Sequence, residues 1–362
     1  MAVTLADVAA RAGVSPATVS RVLSGNYPVA GGTRARVLRA VEDLQYVVNG
    51  PASALAAATS DLVGVLVNDI ADPFFGIIAG AVQSEMGNGA GTDAGPGQKL
   101  AVVCNTGGSP ERELTYLTLL QRQRAAAVVL TGGAVEDAAH RTALAGRLRQ
   151  LAEGGARVVL CGRPPLPGPV GEDGGNGPVT LAFDNRGGAR RLTGHLLSLG
   201  HRRIGYVAGP AERTTTRHRL EGHRAELSDR APGLLAEADR LTVHGGAYDR
   251  SSGYDGALEV LRRDPGVTAL LAANDTVALG MCAALRERGL RIPEDISVAG
   301  YDDLPFSADA SPSLTTVRLP LQAAGARAGR LALGLEPPPP GGVATVRADL
   351  MARASTGAPR AT

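Results

Sequence analysis

No stretch of this chain is apolar for long enough to span a bilayer, and its start carries no charged segment leading into an apolar stretch and a small-residue cleavage site. A cytoplasmic protein with no membrane partner is therefore expected. Cysteine is scarce. Cys104, Cys161 and Cys282 stand far apart in apolar surroundings, which argues against a disulfide or metal framework and fits buried reduced thiols. Lysine is nearly absent, Lys99 being the only one among 37 Lys and Arg residues. Net charge is only +2, and residues 1–60 hold all of it, with five Arg against Asp7, Glu42 and Asp43. A basic bias at one end of a neutral chain fits a small DNA-contacting head.

Signatures of catalysis are missing as well. Gly187-Gly188 through Gly194 lacks the lysine of a phosphate-binding loop, the Gly-rich run at 87–97 has no dinucleotide fingerprint, and no Gly-x-Ser-x-Gly elbow occurs. His218 and His223 flank Glu221, but their spacing sets them about 140° apart around a helix, a poor face for a metal. No enzyme activity, metal site or cofactor is expected.

What is present begins with length: 362 residues with 44% hydrophobic content make a globular chain of two or three domains. Its most informative stretch is Ser15-Pro16-Ala17-Thr18-Val19-Ser20-Arg21-Val22-Leu23-Ser24. Ser15 suits an N-cap and Pro16 the first helical position, where no amide donor is lost. At about 100° per residue Val19, Val22 and Leu23 share one side, while Ala17, Thr18 and Arg21 point elsewhere and Ser20 sits at the boundary. Upstream, Thr4 caps a helix to Ala12 with Asp7 in its first turn, and Gly13-Val14 makes the corner. Helix, glycine turn, helix is the helix-turn-helix pattern, whose second helix enters the DNA major groove; the spacing alone also fits an ordinary helical hairpin. A third helix is expected from a Thr33 cap through Leu44. Thr33, Arg34 and Arg36 near its start suit either phosphate contact or a solvated helix end.

From Asp61 onward apolar strand-like runs alternate with helical stretches. Leu62–Val67, Leu100–Cys104, Ala126–Leu130 and Val158–Cys161 read as buried strands of one parallel α/β layer. The alternation continues through Val179–Phe183, Ile204–Ala208, Leu241–Val243, Ala269–Ala272 and Ile296–Ala299, giving a second layer. Gly/Pro stretches at 87–97, 164–178 and 337–342 read as surface loops.

Thr4-Leu5-Ala6-Asp7-Val8-Ala9, Ala12-Gly13-Val14-Ser15 and Thr18-Val19-Ser20-Arg21-Val22-Leu23 closely resemble the opening of the LacI/GalR family of bacterial transcription regulators. Asp72-Pro73-Phe74-Phe75-Gly76, Leu199-Gly200-His201-Arg202-Arg203, Ala273-Asn274-Asp275 and Gly300-Tyr301-Asp302-Asp303 extend that resemblance over essentially the whole chain. It implies a small all-α helix-turn-helix DNA-binding head plus an α/β two-lobed, periplasmic-binding-protein-like effector domain with parallel sheets. The head would span 1–48 and a hinge helix 49–60. The effector-binding and dimerisation domain would span 61–362, its first lobe about 61–183 plus 319–336 and its second about 184–318 plus 343–357. By the same resemblance Leu321–Leu333 returns to the first lobe and Val343–Val346 ends in the second.

The resemblance further implies a repressor that binds a pseudopalindromic operator in double-stranded DNA as a homodimer, controlled by a small-molecule effector. DNA contacts fall to Thr4, Ser15, Pro16, Ala17, Thr18, Ser20, Arg21, Thr33 and Arg34. Arg21 suits a guanine edge, and Pro16 and Ala17 suit thymine methyls. Leu55 would be the hinge-helix wedge into the minor groove. Val48 stands where the family often has proline, and Gly50-Pro51 replaces larger residues.

Effector contacts are expected from Asp72, Phe74, Arg219, Tyr248, Asn274 and Asp302, at strand ends facing the cleft between lobes. Acceptors, an amide, a planar guanidinium fork and aromatic faces suit a polyhydroxylated ligand. Structural alternatives exist for three of them: Phe74 as core, Asp72 as a helix cap and Asp302 as a turn residue. The Asp-Pro-Phe-Phe stretch resembles sugar-responsive members, so a sugar or glycoside is the leading effector class and a nucleoside or purine the alternative. An exported solute-binding protein is the rival of another class, disfavoured by the amino-terminal head.

Overall fold

The computed structural model of the chain describes residues 3–24, 28–46, 60–88, 99–166 and 177–360. Local chemistry sets the head. The Asp7 carboxylate accepts the Thr4 amide at 2.8 Å and Thr4 Oγ1 accepts the Asp7 amide at 3.4 Å, a closed capping box on α1 (Leu5–Ala12). Gly13, at φ 66°, ends that helix in the left-handed conformation glycine adopts without a Cβ penalty. Ser15 Oγ then accepts the Thr18 amide at 3.2 Å and opens α2 (Pro16–Ser24). The third helix, α3 (Gly31–Asp43), starts earlier than expected. Ala30 caps it without a side-chain bond, so Thr33 lies inside the first turn and is not the cap. Val8, Val19, Val22 and Val37 fill the centre of the three helices, and the Arg36 guanidinium donates to the Ala12 carbonyl at 3.3 Å.

Beyond the head, β1 (Leu62–Val67), β2 (Leu100–Asn105), β3 (Ala127–Thr131), β4 (Arg157–Cys161) and β5 (Val179–Phe183) enter one sheet. The second sheet takes β6 (Ile204–Ala208), β7 (Thr242–His244), β8 (Ala269–Ala272) and β9 (Ser297–Ala299), in the order β7-β6-β8-β9. Both sheets are parallel and carry helices on their faces, so the central strands are apolar throughout; all of β3, for example, is buried. Three short strands follow, β10 (Thr316–Arg318), β11 (Val343–Val346) and β12 (Asp349–Met351).

Val179–Phe183, grouped by the alternation with the second layer, pairs with β4 in the first sheet. Two further expectations are corrected. Val343–Val346 pairs in parallel with β5, giving the first sheet the order β11-β5-β4-β3-β1-β2, so this strand belongs to the first lobe and not the second. The chain crosses back only afterwards, where β12 runs antiparallel to β10 in a two-stranded ribbon. Secondly, β2 is an edge strand and not a buried one: Leu100, Val102 and Val103 are exposed. Cys161 is fully buried and Cys104 and Cys282 half-buried, all three as free thiols. Burial pushes the Cys161 thiol up to about 12, which makes it unreactive.

The second lobe holds a pH-sensitive fault. His223, on the helix Thr214–Arg230, is fully buried against the edge of Tyr206; its Nδ1 lies 2.9 Å from Thr193 Oγ1 and its Nε2 has no partner. Burial, reinforced by the nearby Arg224 charge, lowers its pKa from 6.5 to about 4. The unfolded chain takes up this proton near pH 6.5 and the folded chain does not, so stability falls as pH drops from 6.5 towards 4, by about 3 kcal/mol in all. Denaturant unfolding at pH 7 and pH 5 is expected to show about 2 kcal/mol of this loss, and His223→Gln to reduce it.

Candidate functional site

The second helix of the head turns Pro16, Ala17, Ser20 and Arg21 to the surface while Val19 and Val22 are buried beneath. Thr18 is half-buried, and its hydroxyl lies 2.9 Å from that of Ser15. Thr4 is exposed but its hydroxyl is held by Asp7 at 2.7 Å. Arg34 is exposed on the first turn of α3 and Thr33 beside it is half-buried. The exposed face of α2 is thus narrow, short-chained and ends in a guanidinium, a shape that fits a groove floor. Leu55 and the other hinge positions from 49 to 59 lie outside the described residues.

Between the two sheets lies a cleft of about 660 Å³, at the carboxyl ends of the parallel strands. It brings together all six residues expected to meet an effector: Asp72, Phe74, Arg219, Tyr248, Asn274 and Asp302. Arg219 is its keystone. The buried guanidinium donates to Asn185 Oδ1 at 2.9 Å, to Asp302 Oδ1 at 2.8 Å and to the Ala273 carbonyl, and it lies 3.6 Å over the Tyr301 ring. Asp302 is buried at φ 102°, a conformation held by main-chain bonds to Val317 and Leu319. Its charge is neutralised by Arg219 through one oxygen.

The alternatives raised by the residue types turn out to coexist with a cleft position. Asp72 Oδ1 accepts the Phe74 amide at 3.0 Å, capping the helix Pro73–Asn88, while the residue lines the cleft. Asn274 Oδ1 caps the helix Asp275–Glu287 through the Val277 amide at 2.8 Å, which leaves its amide group for a ligand. Phe74 is core and cleft wall at once, edge-on to Phe75 and Phe183. The Tyr248 hydroxyl lies 2.6 Å from Thr216 Oγ1, which fixes its ring against Gly209. Burial, with the charges of Asp302 and Asp69 adding to it, raises the Asp72 carboxyl to about 6.

Other lining residues escaped the sequence reading. Phe75, Phe183 and Phe306 join Phe74, so every phenylalanine of a chain that has only four stands in this one cleft. That scarcity was the available signal. Asn185 orients Arg219, and Asp275 serves structure instead: its buried carboxylate accepts from the Leu304 amide at 2.8 Å, Ser307 Oγ at 2.7 Å and Thr316 Oγ1 at 2.6 Å. The lobes also meet along a seam at the rim. Thr214 and Ala134 are joined by two 3.0 Å bonds, the Glu136 amide donates to the Glu212 carbonyl at 2.8 Å, and Arg217 pairs with Glu136 at 2.6 Å.

A helix-turn-helix head joined to two parallel α/β lobes around an aromatic, arginine-centred cleft defines the class: a DNA-binding transcriptional regulator with a ligand-cleft body. Residues 4–49 match the family described as bacterial regulatory proteins, lacI family, and residues 193–356 match the periplasmic binding protein-like domain. The chain belongs to the lacI family of bacterial regulatory proteins. It is 35% identical over 331 residues to the HTH-type transcriptional regulator GalS of Salmonella typhimurium, across 91% of this chain and 89% of that one. Among solved structures it is similar to the lac repressor dimer bound to operator and the anti-inducer ONPF, at 27% identity, TM-score 0.76, and 99% and 100% coverage of the two chains. It is also similar to a complex of the regulator CelR with cellobiose, at 29% identity, TM-score 0.66, and 98% and 99% coverage. Among the described residues no helix is long and apolar enough to cross a membrane.

Proposed function

We propose that this chain is an effector-controlled repressor that grips a pseudopalindromic operator as a homodimer and takes a sugar or glycoside in the cleft between its lobes. The head would be residues 1–48, the hinge 49–60 and the rest the sensing body. The observation that carries this reading is the cleft itself: a guanidinium already neutralised by Asp302, an unfilled carboxylate oxygen on Asp72, the Asn274 amide, and aromatic walls. Such a lining hydrogen-bonds hydroxyls and stacks on C–H faces, and it offers a phosphate no uncommitted buried cation. The CelR–cellobiose complex and the operator-bound lac repressor dimer support the same reading.

The exposed apolar edge at β2, with Leu100, Val102 and Val103, is the proposed seat of the partner subunit. Val103→Glu is expected to shift the sedimentation of the full-length protein from dimer towards monomer.

Thermal shift against sugars, glycosides, sugar phosphates and nucleosides tests the effector class. A ligand at about a hundred times its Kd adds roughly 2.7 kcal/mol to the native state, an easily read rise in melting temperature. Hits confined to nucleosides would overturn the sugar assignment. The pH dependence of binding is expected to follow Asp72. A ligand hydroxyl donating to its carboxylate favours the ionised form, so affinity falls by roughly tenfold between pH 7 and pH 5, through the value of about 6, and binding releases protons in that range. Calorimetry in two buffers of different ionisation enthalpy measures this, and Asp72→Asn is expected to flatten it.

A further inference from the structure

The edge of the first sheet opposite the cleft carries arginines that no carboxylate among the described residues neutralises. Helices antiparallel to the strands end there: the helix Pro110–Arg122 at Arg122, and the helix Ala138–Glu153 with Arg147 and Arg149 in its second half. Arg124 follows Arg122 closely, and Arg157 opens β4, its amide donating to the Ala126 carbonyl at 2.9 Å. Arg122, Arg124, Arg149 and Arg157 are exposed; Arg147 is half-buried, its guanidinium donating to Gln121 Oε1 at 2.9 Å. None of the five is ion-paired among the described residues. The second lobe treats most of its surface arginines differently: Arg190, Arg217, Arg224 and Arg262, for example, each sit on a carboxylate. The acids at the arginine edge are Asp61, held by Lys99 at 2.9 Å, and Glu153. A guanidinium without a neighbouring carboxylate keeps its field for an external anion.

Two features single out the corner at Arg124. Ser60, where the chain from the head enters the body, donates its amide to the Arg124 carbonyl at 2.8 Å and its hydroxyl to the same oxygen at 3.0 Å. The link from the head is thus moored on the arginine corner itself. Arg124 also sits at φ 52°, its amide on the Gln121 carbonyl and the Ala125 amide on the Leu120 carbonyl, both at 3.0 Å. That is the left-handed helix ending which glycine takes without strain, as Gly13 and Gly334 do after their helices. Here the chain places a cation against that backbone preference.

We propose that this edge is a second DNA-contact surface, holding phosphates of the duplex that flanks the half-site bound by the head. This rests on operator binding by the head and extends the footprint beyond it. Only residues 47–59 lie between Tyr46 and Ser60, and that length of chain reaches at most about 50 Å, the length of about fifteen base pairs. The flank within reach is therefore bounded. Contacts of this kind add affinity and salt dependence without base preference.

Anisotropy titration of the full-length protein tests this, with its selected operator either bare or extended on each side by about fifteen base pairs of unrelated sequence. At low salt the flanks are expected to tighten wild-type binding tenfold or more. They should also steepen the fall of log affinity with log salt by about two units per subunit, one for each phosphate held. Arg122→Gln/Arg124→Gly removes two exposed cations and leaves glycine in a conformation it favours. This variant is expected to lose most of the flank gain and of the added slope, while binding the bare operator as the wild type does. If Arg124→Gly disturbs the fold by circular dichroism, Arg122→Gln/Arg147→Gln, away from the turn, decides in its place. Flanks that add nothing to the wild type, an equal gain in the folded variant, or a variant that weakens both duplexes by the same factor overturns the proposal while operator binding by the head stands. Failure of the wild type to bind either duplex overturns the operator reading and this inference with it.

Discussion

Arg219→Ala is expected to abolish the response to effector and to cost the protein about 3–5 kcal/mol of stability. The guanidinium satisfies Asp302, Asn185 and the Ala273 carbonyl together, all of them buried at the cleft wall. Removing it leaves a buried carboxylate with no counter-charge. Burial already pushes the Asp302 carboxyl up, and only Arg219 opposes that shift, so the carboxyl is expected to take up a proton in the variant. The strand ends that Arg219 ties together, after β5, β8 and β9, lose their common partner. Effector affinity is expected to drop a hundredfold or more. Ligand-free operator binding should persist within a few-fold, because the head has a separate core of Val8, Val19, Val22 and Val37. Arg219→Lys keeps the charge without the planar fork and is expected to recover little of the response. Urea unfolding, calorimetry and operator titration on the same preparations separate the three effects.

Arg21→Ala is expected to cost about 1–3 kcal/mol of operator affinity per head and to relax the sequence preference at one base pair of each half-site. Arg21 is exposed in the last turn of α2, and no other side chain on that exposed face is long and cationic. Arg34→Ala is the informative contrast. A phosphate contact at the start of α3 carries no sequence information, so its loss is expected to weaken all duplexes alike and to lower the salt dependence of binding by about one unit per head. Anisotropy titrations at several salt concentrations, on the selected operator and on scrambled DNA, distinguish base reading from phosphate holding.

Features set by near neighbours were legible in the sequence, and features set by distant ones were not. The Thr4–Asp7 box and the Ser15-Pro16 start of α2 follow from residues within one helical turn, and both caps are found where residue chemistry puts them. Thr33 misled because Ala30 opens α3 with no side-chain cap to signal it. The run Leu100–Asn105 reads as buried by composition; its place at the sheet edge is decided by strand order, which a local window does not contain. The pairing of Val343–Val346 with β5 likewise depends on where the chain last crosses between lobes. In the cleft, family resemblance brought six polar and aromatic positions together, and the fold gathers all six. It missed the strand-end glycines Gly132, Gly133 and Gly162, since a glycine there acquires meaning only from the Phe75, Thr215 and Phe183 side chains it makes room for.

Control of the head by the cleft is measured as the linkage between ligand and operator binding. The full-length protein selects its operator from random duplexes, and the labelled operator is then titrated with and without the sugar that raises the melting temperature most. Operator Kd is expected to change at least tenfold, and the affinity for the sugar to change by the same factor, measured in reverse, when operator is bound. A sugar that fills the cleft and raises the melting temperature, yet leaves operator affinity unchanged, would contradict it.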